Sequence, residues 1–199
     1  MLVASLAWTM LGPQTGWPRL MSVALEAGTL VLAVARAGGS VRLKRLAAAV
    51  MALMLAATLG SLAAGATSGF APLAEAGVVV TAGLAIFGGL ARQLTITVQS
   101  IMGALCVYLL LGIFFANVDQ AVDAFGVPPY FASQPAAGRS DFVYFSFMTL
   151  TTTGYGDFVP ARSLGRLLAI TEALLGQIYL VSVVALIVSN VGRTRPRRR

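Results

Sequence analysis

The chain has 199 residues, of which 58% are hydrophobic and only 11% charged, with 14 Lys and Arg against seven Asp and Glu. Soluble domains carry about 25% charged residues, so this composition excludes intrinsic disorder and disfavours a soluble domain. The sequence has no His and one Cys, which excludes His-dependent catalytic triads, clustered zinc sites and intrachain disulfides.

Apolar stretches dominate the chain, and a helix needs about 20 apolar residues to cross a bilayer. Five stretches approach or exceed that length: residues 20–35, 46–66, 71–91, 94–116 and 164–191. The first is the weakest, because it is short and contains Glu26. The sequence therefore predicts an all-α membrane protein with five transmembrane helices.

Positive charges predict the orientation, because Lys and Arg beside a membrane segment stay on the cytoplasmic side. They gather at residues 36–45, at Arg92 and in a basic tail, residues 193–199. Placing all three inside predicts a protein of the cell membrane with a cytoplasmic C-terminus and an external N-terminus. An apolar run at residues 2–11 leaves a sixth crossing open, which would move the N-terminus inside.

The basic tail has two interpretations. Contact with nucleic acid is one, but its place directly after an apolar segment favours a cytoplasmic anchor at the membrane surface. We therefore expect the lipid bilayer, and no nucleic acid, as its partner.

A polar, proline-containing stretch spans residues 117–141 and predicts an external loop. Asp119 and Asp123 lie in it and are expected to be solvated. The next segment, residues 141–160, reads DFVYFSFMTLTTTGYGDFVP. Its apolar start predicts a short helix at residues 142–150 that dips into the membrane, followed by a returning loop. Such a loop is tolerated at membrane depth only if protein buries it or it lines a watery path, so the segment indicates a pore.

This segment resembles the pore domain of potassium channels, whose signature is Thr-x-Thr-Thr-x-Gly-Tyr-Gly-Asp. The matching positions are Thr149, Thr151, Thr152, Gly154, Tyr155, Gly156 and Asp157. The resemblance implies a re-entrant pore helix, a selectivity-filter loop and a homotetramer, since four loops build one filter. It implies passive conduction of K+, no enzymatic activity, and no cofactor besides the permeant ions.

The resemblance also assigns roles within the filter. The ion-binding positions are Thr152, Thr153, Gly154, Tyr155 and Gly156, with K+ held by the carbonyls of the first four and by the Thr152 hydroxyl. Glycine adopts φ > 0 without steric cost, which suits Gly154 and Gly156 to turning carbonyls toward one axis. The Tyr155 ring is expected to pack on Tyr144 and Phe145.

Filter support is expected from Thr149, Thr151, Asp157 and Glu172. Asp157 follows the filter at its external mouth, where it attracts cations or hydrogen-bonds to its own pore helix. Related filters are often braced by an acidic residue in the pore helix, where this chain has Met148. Because an ionisable group in a membrane helix is a functional hypothesis by default, we expect Glu172 to brace the filter through Ser146 or Thr149.

The fifth segment resembles the inner helix of the same family. Gly176 stands where the family commonly has a hinge glycine, and close packing is the alternative explanation. The resemblance places Gln177, Leu180, Val184 and Val188 on one stripe that faces the cavity and lower gate.

The expected organisation has three parts: N-terminal transmembrane helices in residues 1–92, the pore domain in residues 93–192, and the tail in residues 193–199. Thr153 stands where the family usually has Val or Ile. This departure raises the alternative of a nonselective cation channel. A non-conducting scaffold or transporter subunit is the alternative from another class, although transporters typically show two related halves with broken helices.

Overall fold

The computed structural model describes residues 70–90, 98–126, 129–134 and 136–191, together with residue 28. In these ranges it has four α-helices: α1, Phe70–Leu90; α2, Val98–Phe125; α3, Arg139–Leu150; and α4, Ser163–Val191. They contain no β-strand, only an antiparallel bridge between Phe131 and Pro160. The described part of the chain is therefore all-helical, as its sequence predicts.

Two of these helices are long and apolar enough to cross a membrane: Ile101–Phe125 within α2 and Ser163–Leu186 within α4. Helix α1 has a shorter apolar segment, Glu75–Leu84. The predicted crossings at residues 20–35 and 46–66, and the basic tail, lie outside the described residues.

Helix α1 matches the third predicted segment and packs along α2. Its buried face is built from small and β-branched side chains, among them Ala76, Val79 and Ala82, which let the two helices approach closely. Glu75 lies on the same buried side and is only 1% exposed. Helix α1 therefore brings one carboxylate into the interior of the molecule.

Helix α2 continues past residue 116, where its end was predicted, to Phe125. That prediction was wrong because it took the polar residues after Ala116 for the start of an external loop. Asn117 and Asp119 are instead buried, at 3% and 0% exposure. Polar side chains that face protein are compatible with a continuing helix, so their appearance does not end α2.

An aromatic core fills the space between α2, α3 and the linker that precedes α3. Its buried rings are Tyr130, Phe131, Phe142 and Phe145. Phe131 contacts four other rings at centroid distances near 5 Å, those of Tyr130, Phe142, Phe145 and Phe158. Aromatic pairs at such distances stabilise beyond their buried area. The core therefore fixes α3 to the segment around Phe158, which follows the loop after α3.

Helix α3 is a 12-residue helix, about 18 Å long at 1.5 Å per residue and too short to cross a bilayer. It begins at Arg139, after Gly138, whose backbone N–H donates to Asp141 Oδ2 at 2.8 Å. Helix α3 packs against both α2 and α4. It therefore sits inside the angle of two membrane-long helices.

Helix α4 contacts the rest of the chain along a narrow stripe. Gly165, Glu172 and Gly176 are buried, whereas most of its large apolar side chains are exposed. In the most apolar stretch of α4 only 11% is buried, compared with 33% in the corresponding stretch of α2. Most of α4 is therefore available to lipid, to water or to other copies of the chain.

Candidate functional site

The loop after α3 has an alternating backbone. Thr152, Gly154 and Gly156 adopt positive φ angles of 57°, 52° and 81°, while Thr153 and Tyr155 between them do not. Left-handed conformations at every second residue turn successive peptide carbonyls toward the same side, whereas a regular strand points them alternately to opposite sides. Gly154 and Gly156 allow this without steric cost. Thr152, a β-branched residue, adopts it at a cost of about 1–2 kcal/mol.

The start of the loop is tied to the end of α3 through its backbone N–H groups. Thr152 N–H donates to Thr149 O at 2.9 Å, and Met148 O accepts from Thr153 at 2.9 Å and Gly154 at 3.2 Å. In a trans peptide the N–H and the preceding C=O point in opposite directions. The carbonyls of Thr151, Thr152 and Thr153 therefore point away from α3.

Residues 151–157 are all exposed in the single chain. At their end, the Asp157 carbonyl accepts from Ser133 Oγ at 2.7 Å, and the Asp157 carboxylate lies close to the Tyr144 phenol of α3. The two roles expected for Asp157, attraction of cations and a hydrogen bond to its own helix, both stay predictions. Both ends of the loop are therefore anchored, and the polar surface between them is open.

Thr151 and Thr153 form a hydroxyl pair behind the loop, with their Oγ1 atoms 2.9 Å apart. Thr151 Oγ1 also donates to Phe147 O at 2.7 Å. A hydroxyl has one hydrogen to donate, so Thr153 is the donor within the pair. The hydroxyl that distinguishes Thr153 from the usual Val or Ile thus has a partner.

Below the loop, α4 presents a polar side chain to it. Gln177 Nε2 donates to Thr152 Oγ1 at 3.3 Å. Leu180 and Val184 follow on the same stripe and are 42% and 51% exposed. The side chain of Val188 lies outside the described residues. The structure therefore brings Gln177 to the lower end of the loop and leaves the apolar stripe beneath it uncovered.

Glu172 lies behind α3, with 0% exposure. Ser146 Oγ hydrogen-bonds Glu172 Oε1 and also lies 2.6 Å from Gly112 O of α2. Ser146 is one of the two partners that the sequence named for Glu172. This polar contact joins α2, α3 and α4 at one point, and its service to the filter stays a prediction.

Gly176 lies against the C-terminal end of α3. A Cβ placed on it would stand 2.7 Å from Leu150 Cδ1 and 2.8 Å from Leu150 O. Contacts below 3.0 Å are avoided by real Cβ atoms, and the carbonyl is backbone that cannot rotate away. This favours close packing, the second of the two explanations offered by the sequence, for the glycine at this position.

The expected neighbours of the Tyr155 ring were partly wrong. Phe145 packs against Tyr130 and Phe131 instead, because the linker fills the space beside it. The ring of Tyr144 contacts Phe158. Tyr155 is 72% exposed in the single chain, so no aromatic pocket within the described residues encloses it.

Sequence reasoning missed the role of Asp119 and Tyr130. Asp119 and Asp123 were expected to be solvated, which is wrong for Asp119, since it is fully buried, whereas Asp123 is partly exposed. Tyr130 donates its hydroxyl to Asp119 Oδ1 at 2.7 Å and its backbone N–H to Asp123 Oδ1 at 3.0 Å. Burial raises the pKa of the Tyr130 phenol above its usual 10.0, and the Asp119 carboxylate adds to that rise. The phenol is therefore a hydrogen donor throughout the physiological pH range.

Beside these contacts, the linker before α3 is hydrogen-bonded to the segment that follows the loop. Ala132 N–H donates to Val159 O at 2.9 Å, and Ala161 N–H donates to Tyr130 O at 2.8 Å. The aromatic pair Tyr130 and Phe131, which follows two prolines, was the available sequence signal for this connection between the linker and the segment after the loop. Aromatic residues also occur in lipid-facing positions, so the signal was not specific.

Comparisons with known proteins agree with this arrangement. A family model described as "Ion channel" matches residues 103–193, the part that carries α3, the loop and α4. The chain is 48% identical over 46 residues to "Probable potassium channel protein 2" of Methanocaldococcus jannaschii. That alignment covers 22% of this chain and 13% of the archaeal protein, so this chain matches only a small part of its length. No solved structure matches the chain significantly.

The family match covers the same part of the chain as the two membrane-long helices and the loop between them. Residues 103–193 therefore resemble the ion channel family, and this match points to a channel rather than an enzyme.

Proposed function

We propose that four copies of this chain assemble into a potassium-selective channel that conducts K+ passively across the cell membrane. The alternating backbone at Thr152, Gly154 and Gly156 carries this proposal. In potassium channels, rings of backbone carbonyls replace the hydration shell of the ion. The ion sites are formed by the carbonyls of Thr152, Thr153, Gly154 and Tyr155, with the Thr152 hydroxyl at the lower end.

The tetramer is supported by the exposure of the loop. Polar, irregular backbone is tolerated within a membrane only where protein buries it or where it lines a water-filled cavity. Residues 151–157 are exposed in the single chain, so one copy alone would face them toward lipid. Four copies around one axis turn the carbonyls toward a shared ion path and cover much of α4.

The space below the filter is proposed to be the cavity. Gln177 stands at its top, and Leu180, Val184 and Val188 follow toward a gate that can close by dewetting. The C-terminal end of α3 carries about half a negative charge, which favours a waiting cation. At the other end, four copies of Asp157 form a ring that attracts cations from outside.

The arrangement of the rest follows the distribution of charge. Residues 1–92 form the N-terminal transmembrane helices, residues 93–192 the pore domain, and residues 193–199 a cytoplasmic tail. Helix α1 then runs inward and α2 outward, with the N-terminus outside. The chain acts with K+ and the lipid bilayer as partners, without nucleic acid and without a cofactor.

A nonselective cation channel is the second candidate, and Thr153 is the observation behind it. The Thr153 hydroxyl hydrogen-bonds the Thr151 hydroxyl, so it is engaged with another side chain. Having Thr in place of the usual Val or Ile therefore leaves the K+-binding carbonyl of residue 153 in place. This favours selectivity for K+. A non-conducting scaffold or transporter subunit is the remaining alternative.

Flux measurements on the full chain test the proposal. Purified protein in liposomes loaded with K+ should release K+ when a counter-ion path is provided, and its native mass should correspond to four copies. Gly154→Ala should abolish the flux, because Ala disfavours φ of +52° by about 1–2 kcal/mol in each subunit. Gly83→Ala is the matched control, since no heavy atom lies within 4 Å of its Cβ position.

A tetramer without flux would favour the scaffold. A monomer or dimer that conducts would contradict the shared filter. Equal fluxes through the Gly154→Ala variant and the wild type would remove the loop from the ion path.

A further inference from the structure

An ion pair connects α1, which precedes the pore domain, to the first residue of the pore helix α3. Arg139 Nη2 lies 2.8 Å from Glu75 Oε2, and the two side chains are 12% and 1% exposed. Burial makes each charge costly alone, and their mutual attraction compensates only while both are present. The pair is therefore a contact on which the relative position of α1 and α3 depends.

Arg139 occupies an electrostatically unfavourable position. The N-terminal end of a helix carries about half a positive charge, so a cation in the first turn is disfavoured there. The acid within α3, Asp141, uses Oδ2 to accept the Gly138 N–H. Glu75 supplies a negative charge from another helix, which allows an arginine to begin α3.

The opposite end of α3 holds the filter. Met148 O accepts the N–H groups of Thr153 and Gly154, two of the residues with proposed ion-binding carbonyls. Helix α3 is short and continuous from Arg139 to Leu150. A displacement or tilt at Arg139 is therefore transmitted along one rigid helix to the backbone of the loop.

We propose that Glu75 is a positioning residue for the filter: through Arg139 it lets α1 hold the pore helix in the orientation that keeps the loop conducting. This inference rests on the proposed channel function. It gives the N-terminal part of the chain a route to the filter that does not pass through α4 or the lower gate.

A charge-exchange cycle tests this coupling on the full-length protein. The variants are Glu75→Gln, Arg139→Gln, both together, and the exchanged pair Glu75→Arg with Arg139→Glu. Arg162→Gln is the matched control, because Arg162 is an exposed arginine outside the helices. It reports the effect of removing one positive charge without touching the pair.

Two readouts are taken from each variant. The first is the rate at which the K+ current declines during sustained conduction in planar bilayers. The second is hydrogen exchange of the amides in residues 151–157 compared with those in residues 163–176, which needs no conduction. A merely structural loss would raise exchange in both segments alike, whereas a positioning role raises it selectively in the loop.

Each single neutralisation should accelerate current decline and loop exchange by about fivefold, in line with interaction energies of contacting residues. The double neutralisation should fall short of the product of the two, and the exchanged pair should recover most of the wild-type behaviour. Arg162→Gln should stay close to the wild type.

The coupling is overturned if the single variants match Arg162→Gln, if their effects multiply independently, or if exchange rises equally in both segments. A wild-type protein that carries no K+ current would refute the proposed function instead. In that case the exchange measurements alone decide whether Glu75 positions the loop.

Discussion

Gly176 of α4 lies directly against Leu150, the last residue of the pore helix, so closely that a Cβ would stand 2.8 Å from the Leu150 carbonyl oxygen. Helix α4 thus meets α3 at the turn where the loop begins. A glycine in mid-helix costs about 1 kcal/mol relative to Ala. Here the close contact accounts for that cost without a hinge.

Gly176→Ala should destabilise the assembled protein, although Ala is the better helix former. Forcing a methyl group into a packed contact costs about 1–3 kcal/mol, in each subunit. Thermal unfolding in detergent measures the effect, and Gly83→Ala should be neutral or slightly stabilising because its Cβ position is open. A Gly176→Ala protein of wild-type stability with altered opening would favour the hinge.

Ser146→Ala and Glu172→Ala should each weaken the contact between α2, α3 and α4, and their effects should not add. Residues that share one hydrogen bond show coupling of about 0.5–3 kcal/mol in double-mutant cycles. Unfolding temperature and the decline of the K+ current are the measurements. Thr171→Ala is the control, because this neighbour of Glu172 is exposed and bonds only its own helix at Leu167 O.

Additive effects of the Ser146 and Glu172 substitutions would show that the two side chains act separately. Glu172→Gln should be milder than Glu172→Ala, since its amide still reaches Ser146. A Glu172→Ala channel with unchanged stability and current would remove Glu172 from filter support.

Thr153→Val should leave K+ selectivity intact, because the carbonyl stays and only the hydroxyl is lost. The missing bond to Thr151 is expected to cost about 1 kcal/mol and to speed the loss of conduction. The ratio of K+ to Na+ permeability and the current decline are measured together, with Thr153→Ser as the control that keeps the hydroxyl. A large change in the permeability ratio with Val alone would mean that the side chain sets selectivity.

Tyr130→Phe should destabilise the protein by about 1–3 kcal/mol, because the buried Asp119 loses its donor. The pH dependence has a definite sign. A folded-state pKa raised above the usual 10.0 of tyrosine gives stability that is complete below pH 10 and declines as pH rises further. Unfolding temperatures between pH 7 and pH 11 should show this alkaline decline weakened in Tyr130→Phe.

A Tyr130→Phe protein that declines as steeply as the wild type above pH 10 would assign the alkaline loss to other groups. Asp119→Asn should be less damaging than Tyr130→Phe at neutral pH, since its amide oxygen still accepts the hydroxyl.

The helices and part of the loop backbone were largely predictable from the sequence, for different reasons. Helices α1 and α4 follow from apolar length alone. The positive φ at Gly154 and Gly156 follows from residue type. Thr152 was not predictable in this respect, because a β-branched residue disfavours the left-handed region and adopts it only when its surroundings impose it.

Some polar contacts between helices were predictable from the sequence and others were not. Glu172 was identifiable from the sequence because a carboxylate within an apolar helix is unusual, and Ser146 lies on the short helix predicted before it. Asp119 sits among polar residues and therefore resembled a loop residue, although it is buried. The Glu75–Arg139 pair joins residues far apart in the chain, so only the three-dimensional structure reveals it.

The reversal potential of the reconstituted full-length protein tests the central claim most directly. Currents are recorded across a bilayer with a K+ gradient while Na+ progressively replaces K+ on one side. A filter of carbonyls at residues 152–155 predicts a reversal potential that follows the K+ gradient and moves with each replacement. A potential that stays near zero when Na+ replaces K+ would contradict a potassium-selective filter in this loop.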